Sequence, residues 1–325
     1  MRIIRRYRAL PDSCRGAVVA LGNFDGVHLG HRGVISRAAE LAHAEGAPLG
    51  VLTFEPHPVM VLRPEISPRR LSPCRVKVRK LRECGVEVLY MLPFSNSFSQ
   101  KTAEDFVREV LVDDLGACHV VVGHDYRFGK SRVGDCQFLT RAGQEFSFGV
   151  TEVSPIGNAG GLYSSTRVRS YLQHGEPRLA AAILGYMWEV EARVTQGDAR
   201  GRELGYPTAN MEFRDHVIPA YGIYAVWCGV VSSQGTDWHA AVANVGIRPM
   251  FETNVPTLEV HLFDFDGDLY GKYLRVAFFS WIRPEEKFES IDALTEQMDE
   301  DACVAQVMLA GSEPPTDVGR TAFSQ

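Results

Sequence analysis

The chain of 325 residues has little to offer several large classes of protein. Its seven cysteines (Cys14, Cys74, Cys84, Cys118, Cys136, Cys228 and Cys303) contain no close C-x-x-C pair and leave one over, which argues against a disulfide framework and for reduced, structural thiols of a cytoplasmic protein. It has no excess of positive charge: 34 Lys and Arg stand against 40 Asp and Glu, a formal net charge of −6. Without a basic field, a nucleic-acid partner is not expected, although small anions can bind local clusters. Long hydrophobic runs are missing too. The N-terminus is basic (Arg2, Arg5, Arg6, Arg8), but no apolar core follows it before Asn23 and Asp25, and nothing approaches the roughly eighteen apolar residues of a membrane span. Neither a secretory signal nor a membrane association is expected, and a weak homo-oligomer is left open.

What is present is globular. Apolar residues make up 45% and charged residues 23%, so a chain of about two domain lengths can bury two real cores. From Ala17 to Leu21 runs a short apolar strand, then Gly22-Asn23-Phe24-Asp25-Gly26, then a helical pattern (Val34, Ile35, Ala38, Leu41, Ala42) ending at Gly46. Strands are expected at 49–54, 86–92 and 119–122, with helical segments at 72–84 and 101–114 between them. Alternation of this kind predicts a parallel α/β sheet. Beyond Leu184 the texture turns to glycine turns and β-rich pieces (189–194, 222–231, 240–245, 257–263, 273–279), which predicts a small antiparallel β-barrel. A closing helix over 290–309 has Ser290 as cap, and the Ser/Pro/Gly/Thr-rich end reads as a disordered tail. The expected domains are therefore 1–184, 185–310 and a tail over 311–325.

Two constellations carry chemistry. In the first, Gly22 to His31 joins a strand end to a helix start, where unpaired N–H groups and the helix dipole favour a phosphate. His28 and His31, with Gly30 between them, can add hydrogen bonds and, when protonated, positive charge. Taken alone, they could equally cap or pack the helix. A zinc pair is disfavoured because no further ligand cluster accompanies them. Downstream, Ser164, Ser165, Thr166 and Arg169 add hydroxyls and a guanidinium that suit an anion. Gly123 to Ser131 nearly spells a phosphate-binding P-loop, but it has five residues between its glycines instead of four, and Tyr126, Arg127 and Phe128 are too bulky for a phosphate cradle.

In the second constellation, the segment 197–210 sets Gly197, Arg200, Gly201, Arg202 and Gly205 before Pro207, Thr208 and Asn210. Its glycines let backbone wrap phosphates, and Thr208 and Asn210 offer hard oxygens to Mg²⁺. On the strand 257–263, Leu258, Val260 and Leu262 share one face, while Glu259 and His261 share the other. Glu259 is thus the candidate base for a phosphoryl transfer, although as bare residues the glycines read as a turn and Glu259 as part of a solvated face. The acidic run 264–268 is not a calcium loop, since Leu269 stands where glycine is needed and Arg275 where glutamate is needed.

The first constellation resembles the G-N-F-D-G-V-H-x-G-H form of the nucleotidyltransferase signature found in bacterial FAD synthetases. It is followed in order by Thr53-Phe54-Glu55-Pro56-His57-Pro58, by Gly123-His124-Asp125-Tyr126-Arg127-Phe128-Gly129, and by Ser164-Ser165-Thr166-Arg167-Val168-Arg169. The second resembles the riboflavin kinase domain in R-G-R-x-L-G-x-P-T-A-N, in 242–249, in Leu258-Glu259-Val260-His261-Leu262 and in 266–271. The resemblance implies a Rossmann-like N-terminal domain and a kinase barrel, which convert riboflavin to FMN and FMN to FAD with ATP and Mg²⁺. It implies a nucleotide site around Gly22, Asn23, Phe24, Asp25, Gly26 and Gly30, and flavin or adenine contacts from Phe54, Pro56, His57, Pro58, Asp125 and Phe128. It also implies Thr208 and Asn210 as metal and phosphate ligands, with Glu259 as base. Gln196, Tyr186-Met187-Trp188, Met250 and Gln306 depart from the common pattern without touching these side chains. The alternatives are the same fold with one activity only, or a flavin-binding regulator.

Overall fold

The computed structural model of the chain describes residues 1–66, 69–196, 205–250 and 253–316. Its residues fall into two compact units: Met1–Pro68 with Cys74–Ser164, and Arg69–Pro73 with Ser165–Gln325.

In the first unit, β1 (Arg2–Ile4), β2 (Val18–Leu21), β3 (Leu49–Phe54), β4 (Val88–Leu92), β5 (His119–Gly123) and β6 (Gly149–Val153) form a wholly parallel sheet in the order β1-β4-β3-β2-β5-β6. Parallel strands are covered on both faces, so they read as continuous apolar runs. All four residues of β2 are buried. Val18 and Ala20 face a layer with Val34, Ile35 and Ala38, whereas Val19 and Leu21 face Phe106, Val107, Val110 and Leu111. The covering elements are α1 (Leu29–Glu45), α2 (Pro58–Leu62), α3 (Cys74–Glu83), the short α4 (Asn96–Ser99) and α5 (Ala103–Asp105), a π-helical segment over Phe106–Asp114, and α6 (Cys136–Phe146). A small hairpin, β7 (Gly157–Asn158) with β8 (Gly161–Leu162), completes the unit. Helix α1 ends where Gly46 adopts φ 63°, a left-handed conformation that suits glycine, and its N–H returns to Ala42 and His43 carbonyls.

The second unit contains α7 (Ser165–Gln173), α8 (Pro177–Leu184), β9 (Glu189–Arg193), β10 (Ala209–Glu212), β11 (Gly222–Val231), β12 (Thr236–Met250), β13 (Thr253–Leu262), β14 (Tyr273–Arg283) and α9 (Ile291–Leu309). Its six strands form an antiparallel sheet in the order β10-β13-β12-β11-β14-β9. A bridge between Thr195 and Asn210 brings the two edges together, so the barrel is nearly closed. Tyr224 and Trp188 both pack on Phe278 at ring-centroid distances of 5.0 Å. The indole N–H of Trp188 donates to the Leu71 carbonyl at 2.9 Å. Helix α9 is capped by Ser290, whose hydroxyl accepts from Ala293 N–H at 3.1 Å, and it sets Ala305 and Leu309 against Ala225 and Phe263 outside the barrel.

A buried ion pair joins Arg275 to Glu189 in this unit. Arg275 Nε donates to Glu189 at 2.8 Å and its Nη2 at 3.2 Å, with both side chains at most 3% exposed and the guanidinium 4.8 Å from the Trp238 ring centroid. Removing one partner strands a buried charge, which costs about 3–5 kcal/mol. Arg275→Met is therefore expected to lower the urea midpoint of the barrel sharply, and Arg275→Met with Glu189→Leu to recover most of the loss. A single variant as stable as the parent would contradict this account.

The expected sheet, barrel and closing helix are observed. The segment 106–114 is π-helical where sequence spacing suggested an ordinary helix. Residues 311–316 form a turn and irregular chain, and the rest of the expected tail, 317–325, lies outside the described residues.

Candidate functional site

In the first unit, β2 runs on through α1 to β3 on one side, while β5 lies on its other side. The sheet order therefore reverses between β2 and β5. In such sheets ligands sit beyond the carboxyl ends of the strands at that point. The loops leaving β2 and β5 carry Gly22 to His28 and Gly123 to Gly129.

The first loop is held by its own side chains. Phe24 (φ 50°), Gly26 (φ 86°) and Val27 (φ 38°) take positive φ, and Phe24 and Val27 are almost wholly buried, so packing sustains the strain. Thr53, fully buried on β3, donates its hydroxyl to the Asn23 carbonyl at 3.0 Å. Gly22 leaves room for the Phe24 ring, which a Cβ would approach to 3.1 Å. Gly30 has no room for a side chain either: its Cβ would lie 3.1 Å from His28 Nδ1 and 3.3 Å from the Tyr163 carbonyl.

His28 is the N-cap of α1, and its Nδ1 accepts from His31 N–H at 3.2 Å. That bond places the proton of a neutral His28 on Nε2, leaving an N–H donor at the helix start. The His31 ring stacks on His28 at 3.6 Å between centroids, and the Phe24 ring meets it edge-on at 5.3 Å. His31 Nδ1 is enclosed and has no hydrogen-bond partner among the described residues. Burial pulls His28 down to about 4, against the opposing pull of Asp25 and Asp125. Burial drives His31 well below the usual histidine range as well, assisted by His28 and by Lys77. Both imidazoles are thus neutral at pH 7 before any phosphate arrives. In that form an imidazole can still offer an N–H, the hydrogen-bonding part of what the sequence led us to expect of the pair.

The same shift predicts a pH effect on stability. An unfolded histidine protonates near pH 6.5, whereas His28 in place resists until about 4. Its contribution is fully present above 6.5 and is lost as the pH falls toward 4. His28→Asn keeps a capping side chain without a titrating ring. It is expected to flatten the fall in urea midpoint between pH 7 and pH 5, and an unchanged fall would refute the assignment.

Asp125 follows β5 and acts electrostatically on His28, so the structure brings it to this site. His57 caps α2, its Nδ1 accepting from Val59 N–H at 3.3 Å, with Pro58 as first helical residue and Pro56 preceding it. Phe54, half-buried, meets Phe94 and Phe98 at 5.4 Å each. Sequence reasoning missed Phe94 and Phe98, which with Phe54 make a partly open aromatic surface beyond β3 and β4, the kind of face on which a flat ring stacks. It also missed Lys77, a 1%-exposed ammonium among the apolar Val76, Val78 and Leu81 of α3 that acts on His31. The sequence gives no local signal for it, because Lys77 is one of five basic residues in the ten of α3. Phe128 is only 6% exposed and packs among Phe106, Tyr126 and Phe138, so its ring serves the core. The P-loop resemblance is also set aside. Gly129 (φ 73°) is needed because a Cβ would reach 2.7 Å from Ala103 N, and only a three-residue turn, Lys130–Arg132, follows in place of a helix.

Ser164 closes the first unit, while Ser165, Thr166 and Arg169 lie on α7 of the second, with Arg169 Nε donating to the Arg69 carbonyl at 3.4 Å.

The second site lies on the outer face of the barrel. Directly opposite residues of antiparallel strands share a face. Asn210 on β10 lies opposite Glu259 on β13, and Glu259 opposite Asn244 on β12, giving one row of amide, carboxylate and amide. The alternate residues Ala209, Met211, Leu258, Val260, Ala243 and Val245 are buried inside. Thr208 stands two residues before Asn210, and His261 Nδ1–H donates to the Pro207 carbonyl at 3.0 Å. Gly205 takes φ 81° with open space around it. Gly197, Arg200, Gly201 and Arg202 lie outside the described residues. Among the described residues no group of three or more His, Cys, Asp or Glu could hold a metal.

A histidine-capped helix start at a sheet's switch point and a row of amide, carboxylate and amide on a barrel face, in one chain, suit a transferase. Comparison with known families makes this specific. A FAD synthetase model matches residues 10–167 and a riboflavin kinase model matches residues 184–309. Proteins described as bifunctional riboflavin kinase/FMN adenylyltransferase match along nearly their whole length. That of Escherichia coli (strain K12) is 37% identical over 97% of this chain and 100% of its own, and that of Bacillus subtilis (strain 168) is 35% identical over 93% and 95%. A crystal structure described as a macrolide-efflux protein from Streptococcus pneumoniae superposes with a TM-score of 0.83 at 32% identity, covering 94% of this chain and 98% of that one. The chain belongs to the bifunctional riboflavin kinase/FMN adenylyltransferase family. Among the described residues, no helix is long and apolar enough to cross a membrane.

Proposed function

We propose that the chain performs both steps of flavin cofactor synthesis, with the kinase site on the outer barrel face within 185–310 and the adenylyltransferase site at the β2/β5 switch point within 1–184. In the kinase step the riboflavin 5′-hydroxyl attacks the γ-phosphorus of ATP. The new O–P bond forms as the bond to the ADP oxygen breaks, and Glu259 takes the hydroxyl proton. Thr208 and Asn210 hold the Mg²⁺ of the ATP complex, and the resemblance gives Gly197, Arg200, Gly201, Arg202, Gly205 and Pro207 to its phosphates.

In the second step an FMN phosphate oxygen attacks the α-phosphorus of another ATP, and pyrophosphate departs. The N–H groups at the start of α1, His28 Nε2–H and His31 stabilise charge growing at that phosphorus. The resemblance gives Ser164, Ser165, Thr166 and Arg169 to the departing pyrophosphate, while Phe54, Pro56, His57, Pro58 and Asp125 face flavin or adenine. The reaction needs no covalent enzyme intermediate. The free cysteines suit a cytoplasmic setting for these small-molecule substrates.

The observation that carries this reading is the coexistence of a histidine-capped helix start and the Asn210–Glu259 cross-strand pair in one polypeptide. Incubation with riboflavin, ATP and Mg²⁺, followed by chromatographic separation of the flavins, is expected to yield FMN and then FAD. FMN without FAD would remove the adenylyltransferase step.

A further inference from the structure

The row on the barrel face contains an amide that the reaction described above does not use. Asn244 lies opposite Glu259, on the side away from Asn210. Its Nδ2 donates to Glu285 Oε1 at 3.2 Å. A carboxylate accepts and never donates when ionised, so this bond decides which way the amide is turned. The remaining atom, Asn244 Oδ1, is buried and accepts no hydrogen bond among the described residues. A buried acceptor left unpaired weakens a fold, and each one retained calls for a reason such as a function at that place. Glu285 has been given space to make this contact: a Cβ on Gly246 would run into the Glu285 carboxylate.

The missing partner must be a hydrogen-bond donor. ATP phosphates have no proton to give at neutral pH, so they do not qualify. Nor does the metal held at Thr208 and Asn210, because β10 and β12 flank β13 and lie about 9–10 Å apart at ordinary strand spacing. The hydroxyl whose proton passes to Glu259 belongs to a polyol chain, and that chain carries further hydroxyls beside the reacting one. We infer that Asn244 is a substrate-orienting residue of the kinase site, whose Oδ1 accepts a hydrogen bond from a secondary hydroxyl of the flavin's polyol chain, and that Glu285 is the positioning residue that fixes this oxygen. The inference rests on the reading of Glu259 as the base.

The test compares riboflavin with 7,8-dimethyl-10-(5-hydroxypentyl)isoalloxazine, which keeps the reacting primary hydroxyl and lacks the secondary ones. The parent enzyme is expected to favour riboflavin by about 10- to 100-fold in kcat/KM, since a site built to pair a hydroxyl rejects the analogue without it. Asn244→Leu is expected to bring that ratio to within about 2-fold, through loss on riboflavin alone, with the Mg²⁺ activation constant unchanged. Gly246→Ala and Glu285→Leu, which leave Asn244 in place, are expected to compress the ratio in the same direction. Glu285→Gln, whose carbonyl still accepts from Nδ2, is expected to preserve it. An undiminished ratio in Asn244→Leu, Gly246→Ala and Glu285→Leu overturns the inference, and so does a shifted Mg²⁺ requirement with discrimination intact. Glu259→Gln separates the two levels. If it still phosphorylates both flavins at the parent rate, the kinase-site reading has failed. If it is inactive and the ratio is insensitive to position 244, only the role of Asn244 has failed.

Discussion

His31→Leu is expected to lower FAD formation from FMN and ATP by about 100- to 1000-fold, the loss seen when one preorganised donor to a developing charge is removed. Conversion of riboflavin to FMN should continue at the parent rate. The ring is held on two sides, stacked 3.6 Å from His28 and met edge-on by Phe24, yet its enclosed Nδ1 has no partner among the described residues. Such an atom weakens the fold until a ligand satisfies it, so an apolar side chain of similar bulk should leave the melting temperature unchanged or raise it. Loss of activity with gain of stability is what a purely structural histidine would not give. Because His28 and His31 share one stack, with His28 Nδ1 bonded to His31 N–H, the double variant should lose scarcely more than either single one. Steady-state assays with FMN supplied, together with thermal melts, check this. FAD formation at the parent rate in His31→Leu would remove the histidine pair from the chemistry.

The sequence showed where those histidines stand but not their charge. Their spacing places them at a helix start, whereas neutrality follows from burial beneath Phe24 and from Lys77, which reaches the site from another helix. The parallel sheet was legible because β2 to β5 are unbroken apolar runs between glycine turns, and the barrel was legible because strands such as β13 alternate. The packing boundary was less so. Composition changes after Leu184, yet Arg69–Pro73 and Ser165–Leu184 pack with the second unit. No local pattern reports where a five-residue segment inside the first unit's sequence will pack. The π-helical turn over Phe106–Asp114 escaped for a similar reason, since nine residues of apolar spacing fit either winding. Asn244 was invisible as a candidate because its meaning lies in register. Only pairing of β12 with β13 sets it beside Glu259, and only the chain after β14 brings Glu285 to its amide.

Register also bears on the largest effect expected at the barrel. Glu259→Gln keeps the shape and most of the hydrogen bonding of the side chain but cannot accept a proton at neutral pH. FMN formation from riboflavin is expected to fall by about 100- to 10,000-fold, the usual worth of a positioned base, with the loss confined to kcat. KM for ATP should hold, because the groups given to its phosphates lie elsewhere, on 197–208. With FMN supplied, FAD formation should equal that of the parent, since none of the groups given to that step lies on the barrel strands that carry Glu259. The pairing of Glu259 with Asn210 adds a second discriminant. If Asn210 holds the metal of the ATP complex and Glu259 the hydroxyl, Asn210→Ala should raise the Mg²⁺ concentration needed for half-maximal rate, while Glu259→Gln should not. A Glu259→Gln enzyme that makes FMN at the parent rate, or that differs from it only in Mg²⁺ requirement, would show that this carboxylate is a metal ligand or a bystander and not the base.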